Sequence, residues 1–246
     1  MKRIYNLKNQ TFDTRDFSHL KIINPHSEVI LPKLVDLRSF CPPIFDQGEL
    51  GSCTANAGIA AFMMLEKTPI LFSRIFQYYE ERKIEGDISE DGGAQIRDIG
   101  KVLFSYGTCI ETCEPYIIEN FAKTPSQMAI SNAAKNKIKS YHSVTGGILG
   151  IKQIIALKSQ PVLSGIIIYE SFEEETVSTT GIIPLPKIGE QILGGHAILI
   201  VGYDDSKSWF ICRNSWGDSW GDKGYFYLSY DFIKKGFASD FWVLQN

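Results

Sequence analysis

The chain has no long hydrophobic run. Its longest apolar stretches, such as Ile198 to Val201, are strand-length, which excludes a membrane-spanning helix. No apolar segment follows the basic start Met1-Lys2-Arg3, so no conventional signal peptide is read there and the compartment stays open. Neither sign of charge is in excess: 25 Lys and Arg face 28 Asp and Glu, a formal net charge of −3. The basic residues are scattered without interleaved aromatics, which argues against nucleic acid and anionic membranes as partners. Cysteine is sparse and odd in number, with Cys41, Cys53, Cys109, Cys113 and Cys212 leaving at least one thiol free. That excludes a disulfide-stapled secreted scaffold. Around Cys109 and Cys113 no His or second Cys pair stands at zinc spacing, so neither a metal nor an organic cofactor is expected. Internal repeats and low-complexity tracts are also missing.

What is present is an ordinary globular composition, 44% hydrophobic over 246 residues, enough for one large domain or two lobes sharing a core. Residues 1–33 mix charge and polarity without a sustained period and read as a leader. Small and apolar residues nearly all round from Cys53 to Lys67 predict a buried helix. Phe72 to Lys83, and Gln95 to Tyr106 with Gly107 as a stop, predict two more. In the second half, Pro161–Tyr169, His196–Tyr203, Trp209–Arg213 and Gly224–Tyr230 are rich in Ile, Val, Tyr and Phe, as strands are. Helices then strands predict an α+β fold of two unlike lobes.

Cys53 carries the chemistry. Gln47 precedes it by six residues, and Gly195-His196-Ala197 and Arg213-Asn214-Ser215-Trp216-Gly217 follow far downstream. Between His196 and Asn214 lies the turn-forming run Asp204 to Ser208. A hairpin centred near Asp205 would pair positions summing to about 410, which puts His196 opposite Asn214 on one face. A register slip of one residue would separate them. At a helix start, unpaired N–H groups and the helix dipole favour a thiolate at Cys53, and a neighbouring imidazole favours it further. The Cys53 N–H and the Gln47 carboxamide are candidate oxyanion donors, and Asn214 is positioned to orient His196.

These residues resemble the papain/cathepsin family of cysteine peptidases. The resemblance runs from about Leu34 to the C-terminus through Asp46-Gln47-Gly48 with Gly51-Ser52-Cys53, Asp91-Gly92-Gly93, Glu114-Pro115-Tyr116, Gln160-Pro161-Val162, Gly195-His196-Ala197, and Asn214-Ser215-Trp216-Gly217 with Trp220-Gly221 and Gly224-Tyr225. It implies a papain-like α+β fold over 34–246, with a helical lobe at roughly 45–140, an antiparallel barrel-like lobe at roughly 141–235, and chain ends crossing between them. It implies Cys53 as nucleophile, His196 as general base and acid, Asn214 as orienter and Gln47 as oxyanion donor. Trp216 would cover the His–Asn contact, Gly92, Gly93 and Gly195 would meet the substrate backbone, and Ala238 and Ser239 would lie at the floor of the main specificity pocket.

The departures are specific. Thr54 stands where the family has an aromatic, and Gly195 where a polar residue is common. Leu50 and Glu90 occupy both positions of a family disulfide. The leader is too short for the family's helical propeptide and resembles the short-leader members of bacteria, protists and large viruses. It is expected to lie against the enzyme, across the cleft, as an inhibitory or stabilising arm. The reaction implied is peptide-bond hydrolysis by a monomeric endopeptidase that needs reducing conditions. The competing readings are a non-catalytic binding protein on this fold, or an acyl transferase or deamidase using the same residues.

Overall fold

The computed structural model describes residues 3–11, 13–21 and 30–246. Its helices are α1 (Cys53–Glu66), α2 (Arg74–Glu85), α3 (Ile96–Ser105), α4 (Gln127–Ala133), α5 (Gly147–Gln153), α6 (Glu175–Thr180) and α7 (Tyr230–Lys234). Its strands are β1 (Leu34–Asp36), β2 (Ser140–Ser143), β3 (Val162–Tyr169), β4 (Ile192–Asp204), β5 (Trp209–Arg213), β6 (Tyr225–Ser229) and β7 (Ala238–Gln245). The three long helices fall in the first half and most of the sheet in the second, as the α+β expectation has it. The sheet is antiparallel in the order β2-β7-β3-β4-β5-β6, with β1 added to the end of β4.

Helix α1 is the axle of the molecule. Small side chains let other elements approach its backbone closely, so it is buried from Cys53 to Met64 and packs on α2, α3 and β4. A Cβ on Gly58 would sit 2.5 Å from Ile99 on α3, so only glycine allows that crossing. Lys67 ends the helix in the left-handed conformation, its N–H donating back to Met63 and Met64. Helix α2 has a sequence-legible cap: Ser73 Oγ accepts from the Phe76 N–H at 3.0 Å.

The β4–β5 hairpin corrects the expected register. Leu199 faces Arg213 and Ile200 faces Cys212, and beyond a bulge Gly202 faces Ile211 and Asp204 faces Trp209. Continued past Leu199, this register puts Asn214 level with Ile198 rather than His196, which pairs on its other edge with Ile166 of β3, and Asn214 sits just past the end of β5. The strands fold back between Ser206 and Lys207 rather than at Asp205, which displaces the register, and the bulge moves it back by one. The bulge adds Val201 to β4 without a partner on β5, and the Val201 carbonyl instead accepts the Leu37 N–H at 2.9 Å. The slip is even near the site, so His196 and Asn214 stay on one face and meet diagonally.

Candidate active site

His196, on β4, and Asn214, beyond β5, are brought into contact: His196 Nε2 lies 2.9 Å from Asn214 Oδ1. The Ser215 N–H donates to the same oxygen at 2.8 Å, which fixes the carboxamide with its oxygen toward the imidazole. His196 must then donate through Nε2. Its Nδ1, which has no hydrogen-bond partner among the described residues, keeps the free lone pair a general base needs. The Trp216 ring lies at 4.8 Å and 30° to the imidazole, and Trp220 packs edge-on against Trp216 at 4.8 Å. This apolar cover shields the His–Asn bond from water.

Cys53 is the first residue of α1 and fully buried. Gln47 is held beside it by its own neighbours. Its Oε1 accepts from Ser215 Oγ at 2.6 Å, and its Nε2 donates to the Leu50 carbonyl at 2.9 Å. A carboxamide has two N–H bonds, so one hydrogen of Gln47 is left for another acceptor. Ser215 thus locks both Asn214 and Gln47, a role its place in the Asn-Ser-Trp-Gly run did not announce.

Burial works against the expected thiolate–imidazolium pair in this covered state. Burial pushes the Cys53 thiol up to about 12, although the Ala197 and Thr54 N–H groups favour the thiolate. Burial also brings His196 down to about 4, against the Asn214 bond and with the Arg3 charge adding to the fall. Both shifts favour the neutral forms while the site is covered, because desolvation outweighs the Ala197 and Thr54 N–H groups at Cys53 and the Asn214 bond at His196.

The cover comes from the chain's own N-terminal segment. The Arg3 guanidinium sits 4.2 Å from the Trp216 ring centroid. Tyr5 stacks edge-on near His196 and Trp216, at 6.4 and 5.9 Å. The Gly195 N–H donates to the Tyr5 carbonyl at 3.3 Å, and the Leu7 N–H donates to the Gly195 carbonyl at 3.1 Å. Asn6 lies over Gly51 and Gly93, and Leu7 leans on Gly165 and Gly195. The Lys8 N–H donates to the Ala94 carbonyl at 3.1 Å. At Gly93, with φ +72°, a Cβ would fall 1.9 Å from the Asn6 carbonyl oxygen, so a side chain would close that approach. Gly93, Gly195 and Trp216 thus all meet this segment, and Gly92 lies near the Lys8 ammonium. Ala238 and Ser239 stand opposite Ile166 and Gly165 on β7, behind the glycine that Leu7 touches.

Two departures from the family pattern acquire partners. Gly51 donates its N–H to the Asp91 carboxylate at 2.9 and 3.1 Å, and Tyr78 Oη donates to the same group. Asp91 so ties the Cys53 loop to the Gly92-Gly93 segment, across the gap between Leu50 and Glu90. Thr54 Oγ1 donates to the buried Glu81 at 2.5 Å, and Gln77 Nε2 donates to its other oxygen at 2.8 Å. Glu81 carried no signal in sequence, where it is one acid among several on a polar helix. Among the described residues no group of three or more His, Cys, Asp and Glu is arranged to hold a metal, and no helix is long and apolar enough to cross a membrane.

Comparison with known proteins gives this arrangement its relatives. Residues 31–241 match the papain family of cysteine proteases. The crystal structure of xylellain, a cysteine protease from Xylella fastidiosa, superposes with a TM-score of 0.90 at 37% identity, covering 98% of this chain and 96% of that one. An uncharacterized peptidase C1-like protein of Acanthamoeba polyphaga mimivirus is 35% identical over 96% of this chain and 82% of its own length. Cathepsin B-like CP3 of Giardia intestinalis is 28% identical, over 75% of this chain and 63% of its own length. The chain belongs to the papain family of cysteine proteases and is a papain-like peptidase.

Proposed function

We propose that the chain is an endopeptidase that cleaves peptide bonds through a thioacyl-enzyme intermediate, with Cys53, His196, Asn214 and Gln47 as its working groups. The observation that carries the reading is the His196–Asn214 bond, which leaves Nδ1 bare, together with the helix-start Cys53, whose sulfur takes the backbone N–H of Ala197, the residue after His196. In the reaction the Cys53 proton passes to His196 Nδ1 and the sulfur attacks the substrate carbonyl. The oxyanion is held by the Cys53 N–H, which has no helical partner, and by the remaining Gln47 hydrogen. His196 then gives its proton to the leaving nitrogen as the C–N bond breaks. Water, deprotonated by His196, attacks the thioester; the C–S bond breaks and the proton returns to sulfur. Asn214 keeps the imidazole in the tautomer each transfer needs.

The same reading makes the N-terminal segment an inhibitory arm. With Tyr5, Asn6 and Leu7 in the cleft, the thiol and imidazole stay buried and neutral, and a substrate has no room. Hydrolysis is tested on the full chain with the segment loosened by Tyr5→Ala and Lys8→Glu, by mass spectrometry of products from an internally quenched peptide with and without an added amine. Cleaved acid products are expected in both, with kcat falling about 10²–10³-fold in Gln47→Ala. A predominance of amide products in the presence of amine would favour transfer instead.

A further inference from the structure

Glu85 is the last residue of α2, where a carboxylate opposes the helix dipole. Its side chain is only 10% exposed, and its Oε1 accepts the Gln95 N–H at 3.0 Å. The neighbouring cations on α2 and α3 are engaged elsewhere. Arg82 donates to the Ile88, Glu90 and Phe121 carbonyls, Lys83 pairs with Glu80, and Lys101 pairs with Asp98. Burial, with Asp98 adding to it, raises the Glu85 carboxyl, and the Lys8 ammonium pulls the other way. Lys8 contacts Glu85 directly and Asp87 at 3.7 Å.

Lys8 reaches this carboxylate as part of a peptide laid along the cleft. Tyr5 packs against His196, which must face the leaving amine, so Tyr5 marks the leaving-group side. Asn6 lies over Gly51 and Gly93, next to the nucleophile, Leu7 fills the apolar space at Gly165 and Gly195, and Lys8 comes third. The segment runs from the leaving-group side to the acyl side, opposite to a substrate, so what a substrate residue would share with Lys8 is the side-chain position at Glu85 and not the backbone direction. When the segment leaves, the Glu85 carboxylate loses its cation and the cover Lys8 gives it, and an incoming cation restores the pair.

We propose that Glu85, with Asp87 beside it, is a specificity subsite for a lysine or arginine at the third residue on the acyl side of the scissile bond, beyond an apolar second residue. The inference rests on the peptidase reading above. Lys8 occupies the subsite from within the chain, and a basic substrate side chain takes its place in turnover.

The test uses the full chain carrying Tyr5→Ala, Leu7→Gly and Lys8→Ala, which removes the side-chain grip of the segment and empties both subsites. Two fluorogenic amides are compared, acetyl-Lys-Leu-Gly and acetyl-Ala-Leu-Gly. The expected kcat/KM ratio is about tenfold in favour of lysine, the size of one charge-assisted contact, and it shrinks with added salt. Glu85→Gln in the same background brings the ratio close to one, and Glu85→Lys makes acetyl-Glu-Leu-Gly the better substrate. Equal rates for the lysine and alanine peptides before any change at Glu85 would overturn the subsite and leave the peptidase reading intact. Failure to cleave any of the peptides would overturn both.

Discussion

Thr54 follows Cys53 directly, and its hydroxyl is committed to Glu81, a carboxyl sealed in the interior. Burial pushes Glu81 up to about 8, with Asp98 and Glu85 adding to the rise and Thr54 and Gln77 opposing it. In the unfolded chain an ordinary glutamate titrates near about 4.3. Between those values the folded protein holds a proton that the unfolded chain has lost. Glu81 therefore weakens the fold as pH rises from about 4.3 toward about 8. Glu81→Gln removes that dependence and can keep both hydrogen bonds. Thermal unfolding of the two proteins across this range should show the variant gaining in Tm, relative to the native sequence, as pH increases. Parallel curves would mean that Glu81 is ionised in the folded state. The sequence marked Thr54 as a departure but not its partner, because one acid on a polar helix looks like any other until the fold closes over it.

At the scale of elements, the Cys53 loop is fastened to the Gly92-Gly93 segment by Asp91 rather than by a covalent bridge. Both Gly51 contacts and the Tyr78 hydroxyl converge on that carboxylate, and Arg82 holds the preceding loop through Ile88 and Glu90. Asp91→Ala should lower stability by about 1–3 kcal/mol, the cost of stranding buried donors. Differential scanning calorimetry would read that as a fall in Tm of several degrees, and an unchanged Tm would show that Asp91 is not the fastener. The long helices and the central strands were legible because small-residue runs and β-branched runs are strong local signals. Strands β1, β2 and β7 were not, since each is defined by its pairing with distant segments rather than by its own pattern. The hairpin pairing was half legible: the turn residues located the bend, but the bulge at Val201 owes its place to Leu37.

At the scale of the molecule, the proposed catalytic groups and the segment that covers them make one system. The sequence placed a short leader before the domain and expected it across the cleft; the particular contacts of Arg3, Tyr5, Asn6, Leu7 and Lys8 depend on glycines scattered from Gly51 to Gly195 and could be seen only in the folded chain. Removing the segment's grip should return water to the site and let Cys53 and His196 charge as a pair, reversing the effect of burial on both. The decisive measurement is the rate and site of labelling by a peptidyl epoxide, read by mass spectrometry. It is made on the full chain, on a Tyr5→Ala, Lys8→Glu variant, and on that variant with His196→Ala. A single adduct on Cys53 is expected, slow in the native sequence, at least tenfold faster in the loosened arm, and absent without His196. An unreactive Cys53 in the loosened arm, or equal labelling of Cys41, Cys109, Cys113 or Cys212, would contradict the assignment of Cys53 as the nucleophile.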